Sequence, residues 1–438
     1  MSNRRISVKN AAAWNILNQA SMAVFGVIQY SILARILDRS DFGLLAIATT
    51  LTSLVLLFQD MGLSGAVLTK GDLTSEEYST LYWLNVGLSF VASLVIVFGA
   101  PWIAAFYGSV ELIEVLLGVA SSVLLTAFGR QAGAMASRDL DFKLIALAGC
   151  LSTLISFVVS IALALMGAGV QSLVYGVVLK VGLKSLFMML MSSERGLLHF
   201  VFEFGKIRGL FNIGLYGFIG QILNMMKSHM DGLLIAKFVG LDAAGIYDLG
   251  KRLSARPFNI LNPVVMNVGR PYMAREIRDG RSGGDAVVLT TRMVSSLNSP
   301  VYFLLVVFNV QFVVAMYGKS NAVVADIFLP MCLYHLLRSL MNPVSALAMA
   351  SGRTLRECIW HIATFPLTPI VVYFSGRFGG VGVAWGMLSL FVVILPLFWR
   401  FLVWPFTGIA FLDYLKSFRP LSISVIYNML RNRSKNKL

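Results

Sequence analysis

Charge is what this chain has least of. Only 13% of its 438 residues are Asp, Glu, Lys or Arg, against roughly a quarter in soluble domains. Acidic residues are the scarcer kind: 21 Asp and Glu against 36 Lys and Arg leave a formal net charge of +15. With 57% hydrophobic residues, this composition excludes an ordinary soluble globular protein and puts the chain in a membrane. The basic excess there does not point to nucleic acid; its placement along the chain decides its meaning. Cysteine is nearly missing as well. Cys150, Cys332 and Cys358 lie far apart in apolar stretches, which excludes a disulfide framework or a C-x-x-C metal site and leaves three small buried side chains.

Enzyme signatures are also missing. Of four histidines, His335 and His361 fall on different apolar spans; with no carboxylate expected at ligand spacing they read as packed or interhelical hydrogen-bonding groups. Gly318-Lys319-Ser320 resembles the end of a nucleotide-binding loop, but Val313 stands where the first glycine is required. Glu111 and Glu114 read as a solvated helix end rather than an acid–base pair. No stretch is long enough for a soluble catalytic domain. The expectation is a non-enzymatic membrane protein with no cofactor and no metal.

What is present is a series of apolar segments. Breaker residues divide the chain into about twelve spans of ~20 residues, the length that crosses a bilayer as a helix. Their cores are 12–33, 42–63, 81–100, 112–134, 144–166 and 170–191, then 211–236, 244–268, 287–308, 323–346, 358–374 and 381–403. The first reads as a retained helix rather than a cleavable signal. With the N-terminus inside, alternate loops carry Lys70; Arg130, Arg138 and Lys143; Arg195, Lys206 and Arg208; Arg270, Arg275, Arg278 and Arg281; Arg353 and Arg356. The opposite loops carry only Arg35, Arg39, Lys237, Lys319 and Arg377. This asymmetry places both termini in the cytoplasm, with a basic tail from 405 to 438 suited either to an anionic leaflet or to plain solvation.

The chain repeats itself. Leu33-Ala34-Arg35-Ile36-Leu37 and Gly43-Leu44 align with Ile235-Ala236-Lys237-Phe238-Val239 and Gly245-Ile246. Phe106-Tyr107-Gly108 aligns with Met316-Tyr317-Gly318, Ala134-Met135-Ala136-Ser137 with Ala348-Met349-Ala350-Ser351, and Gly169…Tyr175-Gly176 with Gly379…Trp385-Gly386. Four matches in one order predict two six-helix lobes, 1–200 and 201–404. Six is an even number, so the pseudo-two-fold should run along the membrane normal. The expected fold is an all-α polytopic membrane protein built of two such bundles.

Polar residues concentrate where the second lobe begins. Asp248, Lys251, Arg252, Arg256, Asn259 and Asn262 recur at helical spacing and so share one face. Gln221, Asn224, Ser228 and Asp231 draw a second stripe, with Lys227 beside it. A charge at mid-bilayer costs ~2.5–3.5 kcal/mol on insertion scales, so two such faces would line a shared hydrated cavity. Internal pairing, Asp248 with Lys251 or Arg252 and Asp231 with Lys227, is the competing structural reading. Against it, Arg256 and Arg338 have no carboxylate within four positions, and an arginine fork fits phosphate oxygens. Opposite them the first lobe supplies Asn15, Asn18, Gln19 and Gln29.

Ala34-Arg35-Ile36-Leu37-Asp38-Arg39-Ser40-Asp41-Phe42-Gly43, followed by Gln59-Asp60-Met61-Gly62-Leu63, resembles the first hairpin of Wzx-type polysaccharide flippases of the multidrug/oligosaccharidyl-lipid/polysaccharide exporter superfamily. Ala136-Ser137-Arg138-Asp139-Leu140-Asp141-Phe142 is similar to that family's loop after the fourth span. Gly167-Ala168-Gly169-Val170-Gln171-Ser172-Leu173-Val174 is similar to its turn before the sixth, with Gln171 where tryptophan is more usual. The resemblance, strongest to colanic-acid- and succinoglycan-like exopolysaccharide exporters, implies a bacterial inner-membrane protein. Such a protein moves an undecaprenyl-pyrophosphate-linked oligosaccharide to the periplasmic leaflet, with membrane lipids, a polysaccharide polymerase and chain-length proteins as candidate partners and no nucleic acid. On that reading Lys227, Lys251, Arg252, Arg256 and Arg338 attract the pyrophosphate. Asn224 is a further substrate-binding residue, Asn15, Asn18, Gln19 and Gln29 line the sugar path, and Asp231 and Asp248 couple to an ion gradient. Arg35, Asp38, Arg39 and Asp41 face Lys237 and Asp242 at an outer gate. The rival readings are a peptidoglycan-precursor flippase or multidrug exporter on the same scaffold, and a membrane glycan polymerase.

Overall fold

In hydrocarbon an unpaired backbone amide costs several kcal/mol, so apolar runs of this length close their hydrogen bonds internally as helices. The computed structural model describes residues 8–60, 74–139, 141–191 and 228–421, with isolated positions at 199, 202, 203, 222, 225 and 226. Every regular element among them is helical. The first six are α1 (Val8–Leu33), α2 (Arg39–Asp60), α3 (Ser75–Tyr107), α4 (Glu111–Arg138), α5 (Phe142–Leu165) and α6 (Val170–Met191). Then come α7 (228–238), α8 (Leu241–Arg278), α9 (Gly284–Val307), α10 (Asn309–Tyr317), α11 (Val324–Ala350), α12 (Thr354–Thr364), α13 (Leu367–Ser375) and α14 (Gly379–Phe398). The expected span cores coincide with these helices, except that most of 211–236 lies outside the described residues, as do Lys70, Arg195, Lys206, Arg208 and the tail beyond 421.

Seven helical runs among the described residues are long and apolar enough to cross a membrane, eight if the bent pair α9–α10 counts as one. One of the seven, Leu355–Thr407, folds back on itself. A methyl on Gly386 of α14 would lie 2.9 Å from a Val371 methyl and 2.8 Å from the Ser375 hydroxyl of α13, so these two helices form an antiparallel hairpin. α8 is not among the seven; it carries the charged stripe and Pro257, Pro263 and Pro271.

The chain divides into two compact units, Met1–Gly245 and Ile246–Leu438. In the first, small residues let helices approach closely, as lipid-facing bundles require. Gly129 of α4 backs on Ser185 of α6, where a methyl would sit 2.5 Å from the Ser185 Cα. Ser156 and Ser160 of α5 donate to the carbonyls of Gly176 and Ser172 on α6 at 2.6 and 2.8 Å. Ser93 of α3 donates to the Ala120 carbonyl of α4 at 2.8 Å. Gln171, the departure from tryptophan, donates to the Glu114 carboxylate and so ties the start of α6 to α4.

The second unit is centred on α11, which packs on α9 and α14. Its apolar core gathers Met266, Met273, Val287, Leu347, Trp360, Phe398 and Tyr414.

The repeat is visible in helix lengths. α3 runs 33 residues without a break to Tyr107-Gly108. Its counterpart reaches Tyr317-Gly318 over a similar length but breaks at Phe308 and turns by 81°. The Asn309 side chain accepts from the Val310 amide at 2.6 Å, a local side-chain-to-backbone bond that competes with continuing the helix.

Candidate functional site

α8 owes its shape to proline and to one tyrosine. Pro257 has no N–H to give and disturbs the preceding turn. Tyr302 of α9 fills the gap: its hydroxyl donates to the Ser254 carbonyl at 2.9 Å and accepts from the Phe258 amide at 3.2 Å. A side chain thus stands inside the i→i−4 ladder, between Ser254 and Phe258. Tyr302 is fully buried. Replacing it with phenylalanine strands a buried carbonyl and amide, each costing ~1–3 kcal/mol. The variant should lower the unfolding temperature in detergent by several degrees; an unchanged value would mean that the helix closes on itself without the hydroxyl.

Of the cations expected to bind the substrate, Lys251, Arg252 and Arg256 lie on this stretch of α8, and Arg338 reaches it from α11. Asp248 accepts from Arg252 one turn later, so that pair is closed on itself in this structure. Lys251 Nζ lies 5.7 Å over the Tyr247 ring. The Arg338 guanidinium on α11 lies 5.4 Å over Phe258, and Arg256 is half-buried. A cation over an aromatic face is attracted by the ring's negative π-face. His335 is buried between Phe258 and Tyr334, with ring centroids 6.1 and 5.1 Å away. It is a packed residue, as its isolation in sequence implied. The stripe is not uniform: Asn262 is buried and Asn259 exposed. His361 corrects the expectation of no nearby carboxylate, since Glu357, one turn earlier on α12, comes within 3.8 Å. No group of His, Cys, Asp and Glu suited to a metal occurs among the described residues.

In the first unit Asp231 is buried, and its carboxylate accepts from the Gly232 amide at 2.9 Å. Asn18 is buried against Gly149 of α5, with its Oδ1 2.7 Å from where a methyl on that glycine would lie. The Gln29 amide sits beside Gly176 of α6. Lys227 and Asn224 lie outside the described residues, as do the side chains of Asn15 and Gln19.

The residues assigned to a gate are brought together at the starts of α2 and α8. Asp41 accepts from the Asp38 amide at 3.2 Å, and Asp242 stands in the first turn of α8. Lys237 donates to the Phe106 carbonyl and lies 4.1 Å over the Phe106 ring. That anchor on α3 joins helices far apart in sequence. Arg39 and Leu241 meet through glycine. A methyl on Gly43 would fall 2.1 Å from the Leu241 carbonyl oxygen, and one on Gly245 would fall 1.9 Å from the Arg39 carbonyl oxygen. Leu241 is four residues before Gly245, and Arg39 four before Gly43. The contact is therefore reciprocal between two positions that the internal repeat makes equivalent.

Three basic residues escaped the sequence reading. Arg130 was counted with a loop, yet it lies inside α4, eight residues before its end; Lys180 and Lys184 lie inside α6. Their i, i+4 spacing within an apolar span was the available signal.

A family model described as polysaccharide biosynthesis protein matches residues 32–325. Among curated relatives, a teichuronic acid biosynthesis protein, TuaB, from Bacillus subtilis strain 168 is 25% identical over 391 residues, covering 86% of this chain and 78% of its own. The lipopolysaccharide biosynthesis protein WzxC from Escherichia coli strain K12 is 23% identical over 411 residues, covering 93% and 83%. Among solved structures, the lipid II flippase MurJ in an inward closed conformation superposes with a TM-score of 0.75 over 93% of this chain and 90% of its own, at 12% identity. That last likeness speaks to the fold. The match over two thirds of its length shows that this multi-pass membrane chain belongs to the polysaccharide biosynthesis protein family.

Proposed function

We propose that the chain flips an undecaprenyl-pyrophosphate-linked oligosaccharide from the cytoplasmic to the periplasmic leaflet, by alternating access of two six-helix lobes related about the membrane normal, with both termini in the cytoplasm. The observation that supports the substrate class is the placement of Lys251 and Arg256 on one stretch of α8, with the Arg338 guanidinium of α11 over Phe258 of that same stretch, in a protein of a polysaccharide biosynthesis family. Cations held in an apolar bundle gain most from an anion of matched geometry, and a pyrophosphate offers oxygens to several guanidinium and ammonium donors at once. The Asp248–Arg252 pair gives coupling a physical form: the carboxylate releases Arg252 to the substrate when it takes a proton or sodium ion. Asp231 serves as the second coupling carboxylate, and Lys227 and Asn224 extend the site. Asn15, Asn18, Gln19 and Gln29 line the sugar path. Arg35, Asp38, Arg39, Asp41, Lys237 and Asp242 form the outer gate, locked by the Gly43–Gly245 contact.

A strain lacking the gene should accumulate lipid-linked oligosaccharide accessible only from the cytoplasmic side. Accumulation on the periplasmic side would assign the chain to a step after translocation.

A further inference from the structure

Packing explains where His335 stands but not why it is a histidine. A phenyl or leucyl side chain would serve Phe258 and Tyr334, whose rings flank it. The imidazole brings two nitrogens instead. Both are sealed from solvent, and neither hydrogen-bonds to any group of the protein. The Lys251 carbonyl lies close to the ring without the geometry of a hydrogen bond. Buried polar groups in folded proteins nearly always have a partner, and a stranded one lowers stability. The second unit carries this one on a stretch of α11 whose preceding buried residues, Phe328, Met331 and Cys332, are apolar.

The surroundings select the ligand. Lys251 of α8 and Arg338, three residues further along α11, both act electrostatically on the ring, and Arg338 lies over the same Phe258 that flanks it. Each of these cations has further contacts of its own; the nitrogens of His335 have none. Two positive charges disfavour a metal ion or an ammonium group here and favour an anion. An imidazole accepts from a cationic N–H on one nitrogen while the other donates to an oxyanion, which lysine and arginine, having no acceptor, do not. We propose that His335 is a substrate-binding residue, one ring N–H donating to a phosphate oxygen of the transported lipid while the opposite nitrogen accepts from Arg338. The inference rests on the transport reading for its ligand, a polyprenyl pyrophosphate. His335 is closed off in this conformation, so the contact forms as the stretch of α8 carrying Lys251 and Arg256 opens. The stranded nitrogens set a penalty on the closed form, and the substrate removes it.

The test measures binding of radiolabelled undecaprenyl pyrophosphate to the full chain in nanodiscs of zwitterionic lipid, alongside the unfolding temperature of each variant. His335→Phe, alike in shape, and His335→Leu, alike in volume, remove both nitrogens. Each should weaken binding about ten-fold, the scale of one hydrogen bond to a charged group. Each should also hold or raise the unfolding temperature, because the stranded polar atoms are gone. His335→Gln keeps an N–H donor and should bind between these variants and the parent. Parent affinity in both apolar variants overturns the proposal. So does a binding loss matched in both by a lower unfolding temperature, which would make the histidine a structural residue. Displacement of the label by inorganic pyrophosphate supports contact with phosphate oxygens; displacement only by phosphatidylglycerol assigns the site to a general lipid headgroup and overturns it. Should Arg256→Ala lose binding while the apolar variants keep it, this inference fails and the cationic reading stands. Parent affinity in all three removes both.

Discussion

Replacing Gly245 with alanine should cut polysaccharide export by more than ten-fold while the protein still inserts. The new methyl would sit 1.9 Å from the Arg39 carbonyl oxygen, with the Gly43 amide at 3.0 Å. Both neighbours are backbone, so no side chain can swing away; the starts of α2 and α8 must part by about 1.5 Å before ordinary van der Waals contact is restored. Gly43→Ala should do the same from the other side, against the Leu241 carbonyl. If the contact locks the outer gate, both variants should bias the protein toward its outward-open form. A cysteine placed near Lys237 should then react faster with a membrane-impermeant maleimide added from the periplasm. Wild-type labelling and wild-type export in Gly245→Ala would show that this contact does not report on gating.

Arg256→Ala should be the second severe variant. Export should be lost with insertion intact, and Arg256→Lys should restore only part of it, because a lysine supplies charge without the planar fork that engages two phosphate oxygens. Removing one interaction with a charged partner costs ~1.5–3 kcal/mol, a drop of ten-fold to about a hundred-fold in affinity. Arg252→Ala should differ in kind. It leaves Asp248 without its ion-pair partner, so its defect should ease when Asp248 is also neutralised. Normal export by Arg256→Ala would remove the anion-site reading of α8.

The helices were legible in the sequence because hydrophobicity has a length, and a bilayer sets it. Expected cores such as 112–134 and 170–191 fall inside α4 and α6. The Gly43–Gly245 equivalence was legible from the repeat, but the contact between them was not, since alignment states likeness and not proximity. Cross-helix partners were hidden for the same reason: nothing local announces that Lys237 will rest on Phe106 or that Gln171 will reach Glu114. Arg130 was hidden by assigning charges to the nearest loop, a habit that serves orientation well and buried sites poorly. Tyr302 was invisible because its partners are backbone atoms of another helix freed by a proline.

The elbow at Phe308 gives the two repeats unlike relations to lipid. A 33-residue rod spans ~50 Å, well beyond the ~30 Å hydrocarbon layer, so an upright α3 extends past the acyl chains at one end or both. The second repeat spends a comparable stretch sideways, with Phe308 and Val310 exposed at the corner. A fixed corner can match one leaflet thickness and not a range of them. Membranes of different acyl length should therefore strain the α9–α10 corner while sparing α3, making lipid composition an input to this protein's conformational balance.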